Sequence, residues 1–427
     1  MRREPTFDLS LKLYHQARRL IPGGSQTNSK RADTSVLGQH PIFIQRAEGC
    51  RVWDVDGNEY IDYLNALGPI ILGYRYPAVD NAIRERLKEG IIFGLPHPLE
   101  IECAQLIVDA VPCAEMVRFL KSGAEVTSAA ARIARAYTGR EKLLTYGYHG
   151  WHDNWTALRN DGGVPKVLEG YTIPFPYNDL PALERLFAEH RGEIAAVIMV
   201  PTQVEPPREG YLAAVRDLAW ENGALLIYDE IVTGFRLARG GAQEYFGVVP
   251  DLACFAKALA NGMPLACVCG RREVMEVAEE LLITTTYGGE ILSLAAAVAC
   301  LREYQKKDVQ GYLWRLGEQL MRGLNEAARR TGVAATCDGY PPLAQLNFRY
   351  QDPARNKECW RYFLAETAHR GVLTGRGRLW FITYSHREED IKQTVAVCEE
   401  VFAEMSKASI GFPAGLRSPV LRLNSPP

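Results

Sequence analysis

The stretch that decides the fold runs from Leu225 to Cys269. It opens with LLIYDEIVTGFR (Leu225–Arg236) and continues, after a polar, glycine-bearing interval, with PDLACFAKALANGMPL (Pro250–Leu265). Asp229 ends the apolar run Ala224-Leu225-Leu226-Ile227-Tyr228, which has the length and bareness of a strand buried on both faces. Lys257 ends a second apolar run, Leu252-Ala253-Cys254-Phe255-Ala256, and a small-residue turn follows at Ala260-Asn261-Gly262-Met263-Pro264. A lysine there is costly unless something bonds it. Two neighbouring parallel strands would bring both residues to the carboxyl edge of an α/β sheet, where such folds bind ligands. A structural Lys–Asp ion pair, or two unrelated strand ends, is the plainer alternative.

Working outward, strand and helix patterns alternate from Val117 to Ala299. Strands are expected at 117–120, 142–145, 195–199, 224–229, 252–256 and 266–270. Helices are expected at 125–138, 180–190, 213–221, 272–278 and 292–306. This alternation predicts an α/β protein with a mostly parallel sheet covered by helices on both faces. The opening quarter reads as a small β/α lobe. Its strands lie near 42–45 and 50–54, with a hairpin at Asp56-Gly57-Asn58 and amphipathic helices at 77–89 and 99–111. Beyond residue 309 come helices at 309–331, 357–370 and 388–407, with strands near 344–350 and 379–383. The expected division is 1–60 and 307–408 for the two parts of a small α+β domain, 61–306 for the large domain, and 409–427 for a loosely held tail.

Bulk properties exclude other classes. At 427 residues the chain exceeds what a single core holds. A net charge of -2 gives no argument for nucleic acid or an anionic membrane. No apolar run reaches the roughly 18 residues of a membrane span, and the N-terminus lacks a signal-peptide core. The ten cysteines form no CxxC pair, as expected of reduced core residues in a cytoplasmic protein. His149 and His152 have a metal-binding spacing but no third ligand nearby, so no metal is expected.

Other segments add candidate parts. Ser122-Gly123-Ala124 lies between a strand and a helix start, where backbone N–H groups at a positive helix end suit a phosphate, with Lys121, Ser122 and Thr127 in reach. Taken alone, an ordinary serine-capped turn explains it as well. Tyr148 follows another strand and suits stacking on a flat heterocycle. Thr284–Glu290 offers hydroxyls and close backbone approach before a helix. A buried amine facing a buried carboxylate is what pyridoxal 5'-phosphate (PLP) chemistry needs. The lysine makes a Schiff base, and the carboxylate keeps the pyridine nitrogen protonated.

Several motifs together resemble the class III aminotransferases of PLP fold type I, nearest the glutamate-1-semialdehyde 2,1-aminomutase-like branch. They are PGG (Pro22–Gly24), WDVDGNEYIDY (Trp53–Tyr63), LGPIILGY (Leu67–Tyr74), SGAE (Ser122–Glu125), YGYHGWHD (Tyr146–Asp153), LLIYDEIVTGFR, FAKALANGMPL and TYGGE. The resemblance implies that Lys257 carries the cofactor and moves the α-proton, that Asp229 pairs with the pyridine nitrogen, and that Tyr148 stacks on the ring beside His149. It implies that Ser122, Gly123 and Ala124 hold the phosphate, and that Glu230 supports the site. Thr286 would reach the neighbouring subunit's phosphate in a homodimer with shared sites, and Ser25–Arg31 would line the substrate end. The implied partners are a small amine donor and a carbonyl acceptor. An intramolecular aminomutase, a racemase or a non-catalytic binding partner are the alternatives. This chain departs from its relatives at Val200-Pro201 (commonly Glu-Pro), at Lys30-Arg31 (an arginine one position late), at Glu290 (often Asn or His) and over Gly375–His386.

Overall fold

The computed structural model describes residues 5–159, 162–375, 377 and 379–407, which fall into two compact units. The expected loose tail, Ser409–Pro427, lies outside the described residues, as do Arg376 and Arg378 of the divergent 375–386 stretch. The larger unit comprises Ala66–Leu72 and Tyr76–Leu313. Its seven strands are β1 (Met116–Leu120), β2 (Lys142–Tyr146), β3 (Thr172–Pro174), β4 (Ile194–Met199), β5 (Leu225–Asp229), β6 (Leu252–Phe255) and β7 (Ala266–Gly270). They lie in the order β1-β7-β6-β5-β4-β2-β3.

β6, β5, β4, β2 and β3 pair in parallel, and β7 alone runs antiparallel to both its neighbours. The reason is chain length. Only the short turn around Lys257 separates β6 from β7, whereas a parallel return needs a crossover of about a dozen residues. The edge strand β3 escaped the sequence reading because TIP is too short to show a period. The α/β architecture expected from the alternation is otherwise present.

Burial on both faces follows from the strand period of two. Leu143, Ala196, Ile198, Ile227, Leu252 and Cys254 pack on one face with Val126, Ala130 and Ile133 of helix α1 (Gly123–Thr138). Leu144, Val197, Met199, Leu226 and Tyr228 pack on the other, against helices α2 (Leu180–Glu189) and α3 (Tyr211–Glu221). A further helix, α4 (Ile291–Lys306), begins after the Thr284–Glu290 loop.

The second unit, so far as it is described, comprises Met1–Asn65, Gly73–Arg75 and Trp314–Pro427. It holds a four-stranded sheet (Ile44–Glu48, Arg51–Asp54, Glu59–Asp62, Val372–Leu373) and a three-stranded one (Ala335–Tyr340, Leu343–Phe348, Trp380–Phe381). The strand Ala335–Tyr340 went unread because its Cys-Asp-Gly interior looks like a turn. Ser25–Arg31 contains a 3-10 turn at Asn28–Lys30, and the Arg31 guanidinium lies directly over Gly23.

At the amino end of the large sheet, Asp251 is fully buried. Its Oδ2 accepts the Leu226 N–H at 2.7 Å and the Trp220 indole N–H at 3.0 Å, tying β5 to α3. Removing this acceptor strands the buried Leu226 N–H and breaks the half-exposed Trp220 bond. Asp251→Ala is expected to cost about 3 kcal/mol, seen as a clear fall in thermal midpoint. A midpoint within a degree of the parent's would contradict the tie.

Candidate active site

The parallel direction of β1, β2, β4, β5 and β6 places Ser122, Tyr148, Asp229 and Lys257 beyond the carboxyl ends of four strands of one sheet. Asp229 is paired in register with Cys254, three residues before Lys257, so the carboxylate and the amine leave adjacent strands.

Asp229 is 3% exposed. One carboxylate oxygen accepts the Ile231 N–H at 3.0 Å, and the other lies 2.7 Å from His149 Nδ1. The imidazole is held in turn. Trp155 meets it edge to face with ring centroids 5.3 Å apart, and the Thr127 hydroxyl donates to the His149 carbonyl at 2.6 Å. Thr127 is fully buried, and its hydroxyl also lies 3.1 Å from the carbonyls of Gly123 and Ala124 in the turn. His149 Nε2 is buried without a partner among the described residues.

No ion pair joins Lys257 to Asp229, and among the described residues the lysine amine has no hydrogen-bond partner. Burial pushes its pKa down to about 8, Asp229 pulls it back up, and Arg236 adds to the lowering. The simple structural ion pair is thus absent: the acid is engaged by a histidine, and the amine is kept substantially less basic than in water. Lys257 also sits in left-handed backbone, at φ 45°. That conformation costs a non-glycine residue of order 1–3 kcal/mol, and such cost gathers at working sites.

The phosphate-type turn is rigid. Ser122 and Glu125 form a capping box: Ser122 N and Oγ both donate to Glu125 Oε2, at 2.7 and 2.9 Å. The amides of Gly123 and Ala124, in the first turn of α1, have no acceptor inside the helix. Tyr148 is 60% exposed, its ring open for stacking. Thr286 lies in an exposed turn before α4. Glu230 is spent elsewhere. Fully buried, it accepts the N–H groups of Ala242 and Gln243 at 2.8 and 2.9 Å and the Thr233 hydroxyl, and burial raises its pKa.

Sequence reasoning gave no role to Arg236 and Asn261, although it quoted the motifs that contain them. Arg236 donates to the Gly68 carbonyl at 2.7 Å, and Asn261 Oδ1 accepts from Ile71 and Leu72 at 3.1 and 3.0 Å. Both grip the segment Ala66–Leu72, whose Ala66 and Leu67 hold φ of 55° and 74°. An asparagine before glycine signals a left-handed turn, and Asn261 has φ 44°; nothing in the sequence tells which distant amides it meets.

A cavity of about 410 Å³ has none of Lys257, Asp229, His149, Tyr148 and Ser122 in its lining. It is lined by Glu100, Ile101 and Ala104, by the edge strand at Val117–Phe119, and by Ile283–Thr285 with Gly288 and Gly289.

The family model described as Aminotransferase class-III matches residues 34–383. A glutamate-1-semialdehyde 2,1-aminomutase of Desulforamulus reducens is 38% identical, over 94% of this chain and 99% of that one. A 3-aminobutyryl-CoA aminotransferase of Cloacimonas acidaminovorans is 34% identical, over 93% and 97%. Among solved structures, the PLP internal aldimine form of the FumI protein of Sphingopyxis sp. MTA144 superposes with a TM-score of 0.88 at 29% identity, over 96% of this chain and 99% of that one.

The lowered Lys257 pKa carries a signed consequence for the cofactor-free protein. Its amine titrates near 10.5 in the unfolded chain and near 8 in the folded one. Between those values the unfolded chain holds the extra proton, so stability rises with pH there, and the burial penalty is full below about 8. Lys257→Met is expected to melt above the parent at pH 7, with the gap closing as pH rises from 8 toward 10.5. A gap constant over that range would contradict the buried, depressed amine.

Proposed function

That this chain belongs to the class III aminotransferase family is the premise from which we propose its reaction in detail: transfer of an amino group from a small amine donor to an aldehyde or keto acceptor. The enzyme depends on PLP. The observation carrying the residue assignment is the uncoupled pair, Asp229 engaged by His149 and Lys257 left without a partner on the adjacent strand.

The residues fit that cofactor. An unpaired buried amine, a carboxylate with an oriented histidine behind it, two open helix-start amides and an exposed tyrosine ring are the groups it requires. When bound, the cofactor supplies an electron-withdrawing ring that drains charge from the carbon losing its proton.

The protein's part follows. Lys257 would hold the cofactor through its amine, and the freed amine would take up and return the α-proton. Its depressed pKa makes the neutral, proton-accepting form accessible near neutral pH. Asp229, fixed by His149 and the Ile231 amide, holds the proton on the pyridine nitrogen. Ser122, Gly123 and Ala124 receive the phosphate at the start of α1. Tyr148, with its ring exposed, would stack on the cofactor. Glu230 keeps the turn after β5 in shape by accepting the Ala242 and Gln243 N–H groups.

A homodimer extends this reading, with Thr286 serving the partner's phosphate. Its support is an exposed apolar set near that loop: Leu95 at 82%, Ile101 at 75%, Leu282 at 78% and Tyr287 at 60%. Joined into one patch, such side chains would suit a protein contact. A cytoplasmic location fits ten free, buried cysteines, and among the described residues no helix is long and apolar enough to cross a membrane.

The aminomutase reading keeps equal standing through the 38% identical relative bearing that name. The two separate by stoichiometry: a mutase completes turnover on one substrate, whereas an aminotransferase stops after one equivalent until an acceptor is added. The protein loaded with PLP and given glutamate, alanine or an ω-amine singly is expected to lose its visible band with one donor and regain it with a keto acid. Lys257→Ala is expected to lose at least a thousandfold in turnover while remaining folded. Parent-level turnover in that variant would defeat the assignment.

A further inference from the structure

Lys121 precedes the Ser122–Ala124 turn and is tied on two sides. Its backbone N–H donates to Glu125 Oε2 at 3.0 Å, and its ammonium lies 3.1 Å from Glu290 Oε2. The two side chains are only 17% and 11% exposed, so the pair is sheltered from solvent screening. Glu290 has no room for more donors. Its Oε1 takes the Leu292 N–H at 2.7 Å, and its Oε2 takes the Ser293 hydroxyl at 2.6 Å, the Ser293 N–H at 3.2 Å and Lys121. It caps α4, and these bonds with the Lys121 charge hold its own pKa down against burial.

Lys121 is differently placed. An ammonium has three N–H donors, and Glu290 takes one. The turn beside it offers a phosphate two free amides and a serine already shared with Glu125, few donors for a dianion that binds best to charged groups. The residue next to the turn thus carries a cation with spare donors, and the Glu290 carboxylate already holds that cation.

We propose that Lys121 is a phosphate-positioning residue whose charge is divided between the cofactor phosphate and Glu290, so that Glu290 limits how tightly the phosphorylated cofactor is held. The inference rests on the PLP site proposed above. Its consequence is opposite signs for the two partners of one ion pair. A mere structural strut would weaken in the same direction whichever end is cut.

The test titrates cofactor-free protein with PLP and, separately, with pyridoxal, which lacks the phosphate, reading the absorbance of the lysine adduct. Lys121→Met is expected to raise the Kd for PLP about tenfold and leave that for pyridoxal within about twofold. Lys121→Arg, keeping the charge, is expected to stay near the parent. Glu290→Gln keeps an acceptor for the α4 cap but removes the competing anion, and is expected to hold PLP about threefold more tightly. PLP affinity unchanged in Lys121→Met, PLP and pyridoxal weakened together, or Glu290→Gln weakened like Lys121→Met would each overturn the proposal. A parent protein that forms an adduct with neither compound overturns the cofactor site itself, and this inference with it.

Discussion

The bond between His149 and Asp229 organises the carboxyl edge of the large sheet. At 2.7 Å and almost wholly buried, it settles the lone carboxylate at the end of β5 and leaves the lysine on the next strand without a counter-ion. A buried charge normally finds a partner or loses its charge. Here the acid finds one and the amine is pushed toward neutrality. The two strand-end groups therefore stay separate, with no direct lysine–aspartate bridge between them.

The rest of the large unit keeps the two groups on neighbouring strands and the edge clear. Parallel pairing from β6 through β3 collects the strand ends on one side, and apolar layers on both faces hold the strands in register. Asp251 ties the opposite end. The single antiparallel strand, β7, follows directly from the brevity of the lysine turn, which leaves no length for a crossover. Arg236 and Asn261, a few residues past Asp229 and Lys257, hold the left-handed segment at Ala66–Leu72. The backbone cost there is met by bonds from the same two motifs.

Much of this was legible in the sequence because it is local. Asp229 and Lys257 end apolar runs, and the strand–helix alternation is periodic enough to give the sheet. What stayed hidden depends on distant pairing. Nothing in YHGWHD says that His149 turns to a carboxylate eighty positions away, or that its carbonyl takes the Thr127 hydroxyl. Glu230, beside Asp229 in sequence, points its carboxylate at the Ala242 and Gln243 N–H groups, a choice made by tertiary packing. The strands at Thr172–Pro174 and Ala335–Tyr340 were missed for a simpler reason. One is too short to show a period, and the other carries turn residues in its interior.

The central claim is that Lys257, kept unpaired by the His149–Asp229 bond, is the reactive amine. Incubating the protein with PLP, reducing with borohydride to make the lysine adduct permanent, and mapping the labelled peptides tests it directly. This account predicts one pyridoxyl group per chain, on the peptide carrying Lys257. A label on another lysine, or spread over surface lysines in proportion to exposure, would contradict it.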